Sequence, residues 1–408
     1  MIATGIAKLL RYKKETTWGV QASNVGGQAL RRVTSNLDLK KATFGSKELR
    51  PDFQVADFRH GGRSVDGTIS GELSVGTYGD FMGSICRQAW AAKATTGAIT
   101  TVAAASTVGA QGTFTLSAGS FLAMGFDNGD VVTCTGWTTT GATNNNHNFY
   151  LTNVTALVMT GVFLDGVPMG TKIAGDSVTI TQAGKKNYLA TSGQVNDSYS
   201  IEHWFSDIQQ SETFVGCRIS SMDIKLPSNG FAMIDTAFMG KDMIPMITGG
   251  PYFTSPASIS TGGNLAGVNG QLYVQGNQVG LITGMNIKIN ANMTSGEVIG
   301  SPTRPDVFMG AMDVSGQLTV YFIDNVMRDL FVNETEASVQ VVFTSNNTAT
   351  ADFIAFTLPR IKLGGGSKDD GQKGLIMTMP YTALLNIYGG VNLATPYTTL
   401  AIQDSRVP

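Results

Sequence analysis

The chain has 408 residues, carries a formal net charge of −2, and only 14% of it is charged. That length allows two or three domains with sizeable cores. The near-neutral balance argues against a protein that grips nucleic acid by neutralising phosphates. Charge is well below the roughly 25% of an ordinary domain, which suggests that other copies of the chain cover much of the surface.

The first residues, Met1 to Leu10, are followed by Arg11, Lys13 and Lys14, the reverse of the charge order in a secretory signal. No apolar run reaches the roughly 20 residues that span a bilayer. The expectation is a product without a membrane partner, made and assembled in a cytoplasm. The dispersed Cys86, Cys134 and Cys217 read as reduced, buried thiols.

Further along, Leu37-Asp38-Leu39-Lys40 alternates as a half-buried strand does, and so does Thr68-Ile69-Ser70-Gly71-Glu72-Leu73-Ser74-Val75. A helix is expected at 80–90, with Asp80 as N-cap and Phe81, Met82 and Ile85 on its apolar face. From 91 to 194 the chain is rich in Thr, Ala and Gly and nearly uncharged. Strand-like runs occur there at 113–116, 130–134, 149–152 and 177–180, separated by turn signals such as Asp127-Asn128-Gly129-Asp130. Met222-Asp223-Ile224-Lys225 follows, and then a Gly/Pro-rich linker from 247 to 264.

Beyond the linker the earlier spelling returns. Met285-Asn286-Ile287-Lys288 echoes the first quartet, and Asp313-Val314-Ser315-Gly316-Gln317-Leu318-Thr319-Val320 echoes the Ser-Gly strand. A second helix is expected at 325–332, capped by Asn325, and Pro359-Arg360-Ile361-Lys362-Leu363 loosely repeats the quartet again. The simplest account is a tandem duplication in which the first copy carries an insertion. The expected fold is mainly β: two α+β units, each a β-sandwich or half-barrel with one short helix, plus an inserted small all-β module. Its divisions are an N-terminal arm (1–19), unit one (20–90 and 195–246), the module (91–194), the linker (247–264), unit two (265–395) and a C-terminal tail (396–408).

Chemistry is sparse. His60, His147 and His203 are dispersed, and His203 reads as a strand histidine. No zinc-protease, Cys-x-x-Cys or Gly-x-Ser-x-Gly motif occurs. The loop Gly364-Gly365-Gly366-Ser367-Lys368 lacks the Gly-Lys-Ser/Thr ending of a phosphate loop and precedes a strand-like run, so it reads as a hairpin tip. No catalytic residue, cofactor or metal is assigned.

Against this background, Lys13-Lys14-Glu15-Thr16-Thr17-Trp18-Gly19-Val20 resembles the opening of the siphophage major tail tube protein family. The same is true of Ser46-Lys47-Glu48-Leu49-Arg50-Pro51-Asp52, the stretch Val65 to Leu73, Val215 to Lys225, and Phe238-Met239-Gly240-Lys241. The resemblance covers most of both units, less so the module. It implies a structural virion protein of the phage tail, whose rings stack into a tube through which double-stranded DNA leaves without sequence-specific binding. The implied partners are further copies of the chain, the tail terminator, the tape measure and the distal tail proteins. The duplication adds an expectation of three chains per pseudo-sixfold ring. Glu72, Ser70, Gln317, Ser315, Asp223 and Asn286 are candidates for the lumen lining, with an outer surface or a subunit contact as equal alternatives. Trp18, Lys13 and Lys14 are candidates for contact with an adjacent ring. Two other readings stay open: a secretion-system tube subunit, usually shorter and unduplicated, and a carbohydrate-binding β-sandwich using Trp90, Trp137 and Trp204 as platforms.

Overall fold

Alternation of apolar and polar residues becomes strand along most of the chain. The computed structural model describes residues 2–107, 111–279, 282–322, 326–369 and 374–407. The elements that position the functional surface are β1 (Lys8–Lys14), β2 (Asp38–Gly45), β3 (Phe58–Glu72), α1 (Gly79–Cys86), β4 (Lys185–Tyr188), β5 (Tyr199–Phe205), β6 (Gln210–Pro227) and β7 (Met233–Gly240). They continue with β8 (Ile282–Asn290), β9 (Asp313–Tyr321), α2 (Val326–Val332), β10 (Phe353–Leu363), β11 (Ile376–Ala383) and β12 (Ala401–Asp404).

Antiparallel pairing runs without a break in the order β2–β3–β7–β6–β8–β9–β11–β10. One face of this sheet carries Ile69, Met222, Ile224, Ile234, Ile287, Ile289, Val314, Tyr381 and Ile361, all essentially without solvent exposure. Burying each such side chain contributes about 1.5–3 kcal/mol relative to leaving it in water, so this face fixes the register. A slip by one residue would turn the whole set outward. Both β6 and β10 change partners along their length. The first half of β6 pairs with β5 and with Asp242–Thr248, and its second half with β7 and β8. The first half of β10 pairs with Ala337–Thr344 and β12, and its end with β11.

Helix α1 lies under this sheet. Phe81 packs 4.8 Å from Tyr12, and 5.4 Å from both Tyr199 and Phe238, ring centre to ring centre. Met82 and Ile85 are buried with it. The cap differs from expectation. Tyr78 is the N-cap residue and contributes no side-chain bond, while Asp80, inside the first turn, accepts a 2.9 Å bond from the Tyr12 hydroxyl. Asp80 is thus held by β1 rather than by the helix amides. Asn325 lies outside the described residues.

Residues 102–182 form a separate six-stranded antiparallel sheet with its own core, including Phe114, Phe149, Phe163 and Trp137. Tyr150 ties it to the main body, stacking on Tyr273 at 4.7 Å and donating to Gln340 at 2.9 Å. The end of the stretch marked as a module belongs elsewhere: β4 pairs with β12 in the main sheet. The segment marked as a C-terminal tail contains β12, which is buried throughout. The segment marked as an N-terminal arm contains β1, paired with β5 and with Gln28–Leu30. In each case a short run with few apolar residues gains its stability from partners distant in sequence.

A polar sheet face between two open edges

The outer face of the main sheet is set by the residues that alternate with the buried ones. Register places Thr34, Ser70, Asp235, Asp223, Lys288, Ser315, Thr382 and Lys362 in one row across neighbouring strands. The adjoining row holds Glu72, Met233, Lys225, Asn286, Gln317 and Pro380. All six residues suggested for the lumen therefore lie on one continuous polar face, half-buried or exposed. The same register corrects the sequence alignment. Ser70 faces Thr34 whereas Ser315 faces Lys288, so Thr34 and not Lys40 occupies the position of Lys288. Likewise Asp223, rather than Lys225, stands where Lys362 does. A short motif was aligned by its letters while the strands are shifted along their axes.

The face balances its charge locally. Lys225 donates to Asp235 at 2.6 Å and lies 3.8 Å from Asp223. Burial opposes ionisation of Asp235, but bonds from Lys225 and Ser70 hold its carboxyl below the usual range. The same bond raises Lys225. Glu72 accepts from the Asn264 amide. Lys288, exposed near the middle of the row, has no ion pair among the described residues.

Glycine recurs in the Ser-Gly strands for a physical reason. At Gly71 a tyrosine ring crosses the strand, and the Tyr78 hydroxyl donates to Arg31 O at 2.9 Å. At Gly316 the Tyr381 ring does the same, with its hydroxyl bonded to Asn286 O at 2.8 Å. A Cβ at either position would occupy the space of the hydroxyl.

The sheet ends in two edges. Among the described residues, Thr34–Ser35 and β2 pair only with β3, and Ser367–Lys368, continuing β10, pairs only with β11. Beside the first edge lies an open groove of about 830 Å³, lined by residues of 4–10 and 30–35 together with Ile259.

The Lys13-to-Val20 stretch is bound within its own chain. Glu15 is buried and accepts from Gly19 N (2.9 Å), Ser198 Oγ (2.6 Å), Ser200 Oγ (2.9 Å) and Gly216 N (2.8 Å). Trp18 donates to Gly216 O at 3.1 Å and lies between Arg218 and Lys241, whose charges sit 5.3 and 5.0 Å from its ring. Gly19 and Gly216 have φ of 69° and meet face to face, a conformation and an approach that favour glycine. Lys13 bonds Ser23 Oγ and Val25 O, both at 2.7 Å, and Lys14 pairs with Asp197 at 2.7 Å. The three residues suggested for ring-to-ring contact are thus already engaged.

Other candidate chemistry is internal. His203 is buried beside Ser35 Oγ at 2.9 Å, and burial with nearby Lys8 and Arg32 pushes its pKa down to about 3. Trp137 and Trp204 are buried, and Trp90 is pinned to Gly79 O at 3.0 Å, so none offers an open platform for a sugar ring. The three cysteines are free and buried, and burial pushes Cys86 and Cys134 up to about 12. No group of His, Cys, Asp and Glu suited to a metal occurs among the described residues, and none of their helices is long and apolar enough to cross a membrane.

The cluster that sequence reasoning missed is Lys186 with Asp127 and Asp130, bonded at 2.9 and 2.5 Å where the six-stranded sheet meets β4. Gln182 and Tyr188 complete it, at 2.6 Å to Asp130 and 3.2 Å to Asp127. Burial opposes the charge of Lys186, but the two carboxylates more than offset it and keep the ammonium protonated. The Asp-Asn-Gly-Asp turn was legible in the sequence; its lysine, far along the chain, was not.

A family model described as phage tail tube protein matches residues 5–384. No curated protein matches the chain.

Proposed function

Since the chain belongs to the phage tail tube protein family, and is thereby a structural protein of the virion tail, we propose a specific way in which it builds the tube. Three chains form a ring, each supplying two tandem tube units. The polar sheet face lines the bore, and stacked rings make the conduit for DNA leaving the capsid. The tail terminator, tape measure and distal tail proteins are its partners at the ends and within the lumen. The observation that carries this reading is the pairing of β6 with β8, residues Ser221–Pro227 against Gly284–Asn290. It joins the last strand of β2–β3–β7–β6 to the first of β8–β9–β11–β10, head to tail. A head-to-tail junction leaves one unmatched edge at each end of the chain, and repeating it by rotation closes a ring.

Counted from the two Ser-Gly strands, the segments that correspond to this junction are 30–36 at one end and 360–366 at the other. Residues 30–35 line the open groove, so a groove is present where the neighbour's strand is required. Closing the ring removes both edges, which otherwise invite uncontrolled pairing. With eight strands from each of three chains, about 4.8 Å per strand and a tilt of about 40°, the backbone barrel is roughly 48 Å across. Subtracting side chains still leaves room for duplex DNA. The two rows set Lys225, Lys288 and Lys362 against Glu72, Asp223 and Asp235, a balance that offers little net attraction to phosphate.

The test is native mass spectrometry of isolated rings, joined to electron microscopy of the assembled tube. Three chains per ring are expected, with the two Ser-Gly strands related by a rotation of roughly sixty degrees. Six chains per ring, or a bore lined by the apolar face, would refute this arrangement.

A further inference from the structure

The chain spells one further motif twice: Arg50-Pro51-Asp52-Phe53 in the β2–β3 connection, and Arg304-Pro305-Asp306-Val307-Phe308 in the β8–β9 connection. The two copies have opposite environments. The second is docked across the β6–β8 junction onto the first unit. Asp306 pairs with Arg218 at 2.8 Å, the same guanidinium donates to Val307 O at 2.5 Å, Arg304 lies 3.9 Å from Asp66, and Arg63 N donates to Pro302 O at 2.8 Å. Val307 is 1% exposed.

The first copy has no such contact with another unit among the described residues. Among the described residues, Arg50 and Asp52 form ion pairs only with each other, at 2.9 Å. Around them Leu49, Phe53, Val55 and Phe58 stand exposed, Phe53 at 98%. An apolar cluster of this size at a hairpin tip is costly in water and signals a contact surface. The docked copy shows what such a contact looks like: the loop that leaves the first strand of one unit lies across the strands of the unit beside it.

We infer that the Arg50-Pro51-Asp52 tip docks onto a second copy of this chain in the same ring, against a surface formed by Arg360, Ile387 and Tyr388. The inference rests on the ring arrangement proposed above. Arg360 lies three residues along its strand from the register counterpart of Arg218 and shares two of its features: each is near a register irregularity in its strand and beside an aromatic ring, Trp18 at 5.3 Å from Arg218 and Tyr388 at 5.6 Å from Arg360. Arg360 holds Glu336 at 2.6 Å and remains partly exposed. Ile387 and Tyr388, adjoining it through Leu385 O, are exposed apolar groups that match the tip in character. Pro51 limits the conformations the free tip loses on docking.

The test places a photo-crosslinking phenylalanine analogue at position 53 in full-length protein, mixes isotopically light and heavy chains, and assembles them into rings. Irradiation is expected to give mixed light–heavy products joining the tip to peptides containing Arg360 or Tyr388. Crosslinks within one chain, or to another surface of rings that do form, would overturn the docking while leaving the ring reading intact. Failure to form rings would remove the ring reading and this inference with it. A second measurement uses the exchange R50D/D52R, which keeps the internal ion pair but reverses its polarity. The folded chain should melt unchanged while ring assembly is lost; unchanged assembly would refute the contact.

Discussion

The substitution Gly71→Ala tests why Ser-Gly is spelled in these strands. The added Cβ would overlap the Tyr78 hydroxyl outright and lie 2.9 Å from its ring carbon. Tyr78 cannot swing away freely, because it is buried and its hydroxyl donates to Arg31 O at 2.9 Å. Overpacking a tight site costs about 1–3 kcal/mol, and losing the hydroxyl's bond adds about 0.5–1.5 kcal/mol, so a loss of roughly 2–4 kcal/mol is expected. Urea unfolding of the unassembled chain, read by fluorescence, measures it. The double variant Gly71→Ala/Tyr78→Phe removes the overlapping oxygen and should recover about half of the loss, a non-additivity typical of residues in contact. At Gly316 the outcome must differ. A Cβ there meets the Asn286 backbone carbonyl as well as Tyr381 Oη at 2.5 Å, and Tyr381→Phe cannot move a carbonyl. Gly316→Ala should therefore stay destabilised by about 2–4 kcal/mol in the Phe background. Equal rescue at both sites, or a loss under about 0.5 kcal/mol at either, would refute the steric account.

The remaining predictions concern groups bound inside the chain. Lys186→Met leaves Asp127 and Asp130 buried without their cation and should cost about 3–5 kcal/mol in chemical denaturation; Lys186→Met/Asp130→Asn should cost less. Glu15→Gln weakens four donor contacts and should cost about 1–3 kcal/mol in the same assay. Two groups give opposite pH slopes. His203 stays neutral in the fold down to about 3, against 6.5 when unfolded; stability is therefore lost as pH falls from about 6.5 towards about 3, with slope up to about 1.4 kcal/mol per unit. Burial pushes Asp404 up to about 6 from 3.8, so its contribution is lost as pH rises from about 4 to about 6. Relative to the parent, His203→Gln should be favoured at acid pH and Asp404→Asn near neutrality; parallel pH profiles for parent and variants would contradict both assignments.

Much of the β architecture was legible because alternation and burial share a period of two. The positions Ile69, Ile224, Ile287 and Val314 were readable as buried, and Ser70, Asp223, Asn286 and Ser315 as their polar alternates. Register was not legible. Leu37-Asp38-Leu39-Lys40 and Met285-Asn286-Ile287-Lys288 look equivalent as letters, yet pairing sets Thr34 where Lys288 stands. Nothing in a quartet specifies how far a strand slides along its neighbour; that is decided by the whole apolar face. Glu15 was visible within a stretch that resembles a family opening, but its four donors lie at 19, 198, 200 and 216 and meet only in the fold. Short strands such as β1, β4 and β12 escaped because their stability comes almost wholly from long-range partners, which no local pattern records.

The fused junction also bears on how the tube assembles. In a ring of single-unit subunits every edge contact costs an encounter, with its loss of translational and rotational freedom. Here the β6–β8 contact forms within one chain, where the linker keeps the partner strand at high effective concentration. Half of the lateral junctions of the proposed ring are then made during folding, and only the 30–36 to 360–366 junction awaits a neighbour. Perturbations of the two junctions should part company in consequence. Ile287→Ala empties a fully buried site inside the chain and should lower monomer stability by about 2–5 kcal/mol. A bulky charged substitution at the exposed edge, Thr34→Glu, should leave the monomer's unfolding curve within about 0.5 kcal/mol of the parent while abolishing rings in sedimentation velocity. If Thr34→Glu still forms rings, the closing junction lies elsewhere, even though the chain's own β6–β8 pairing stands.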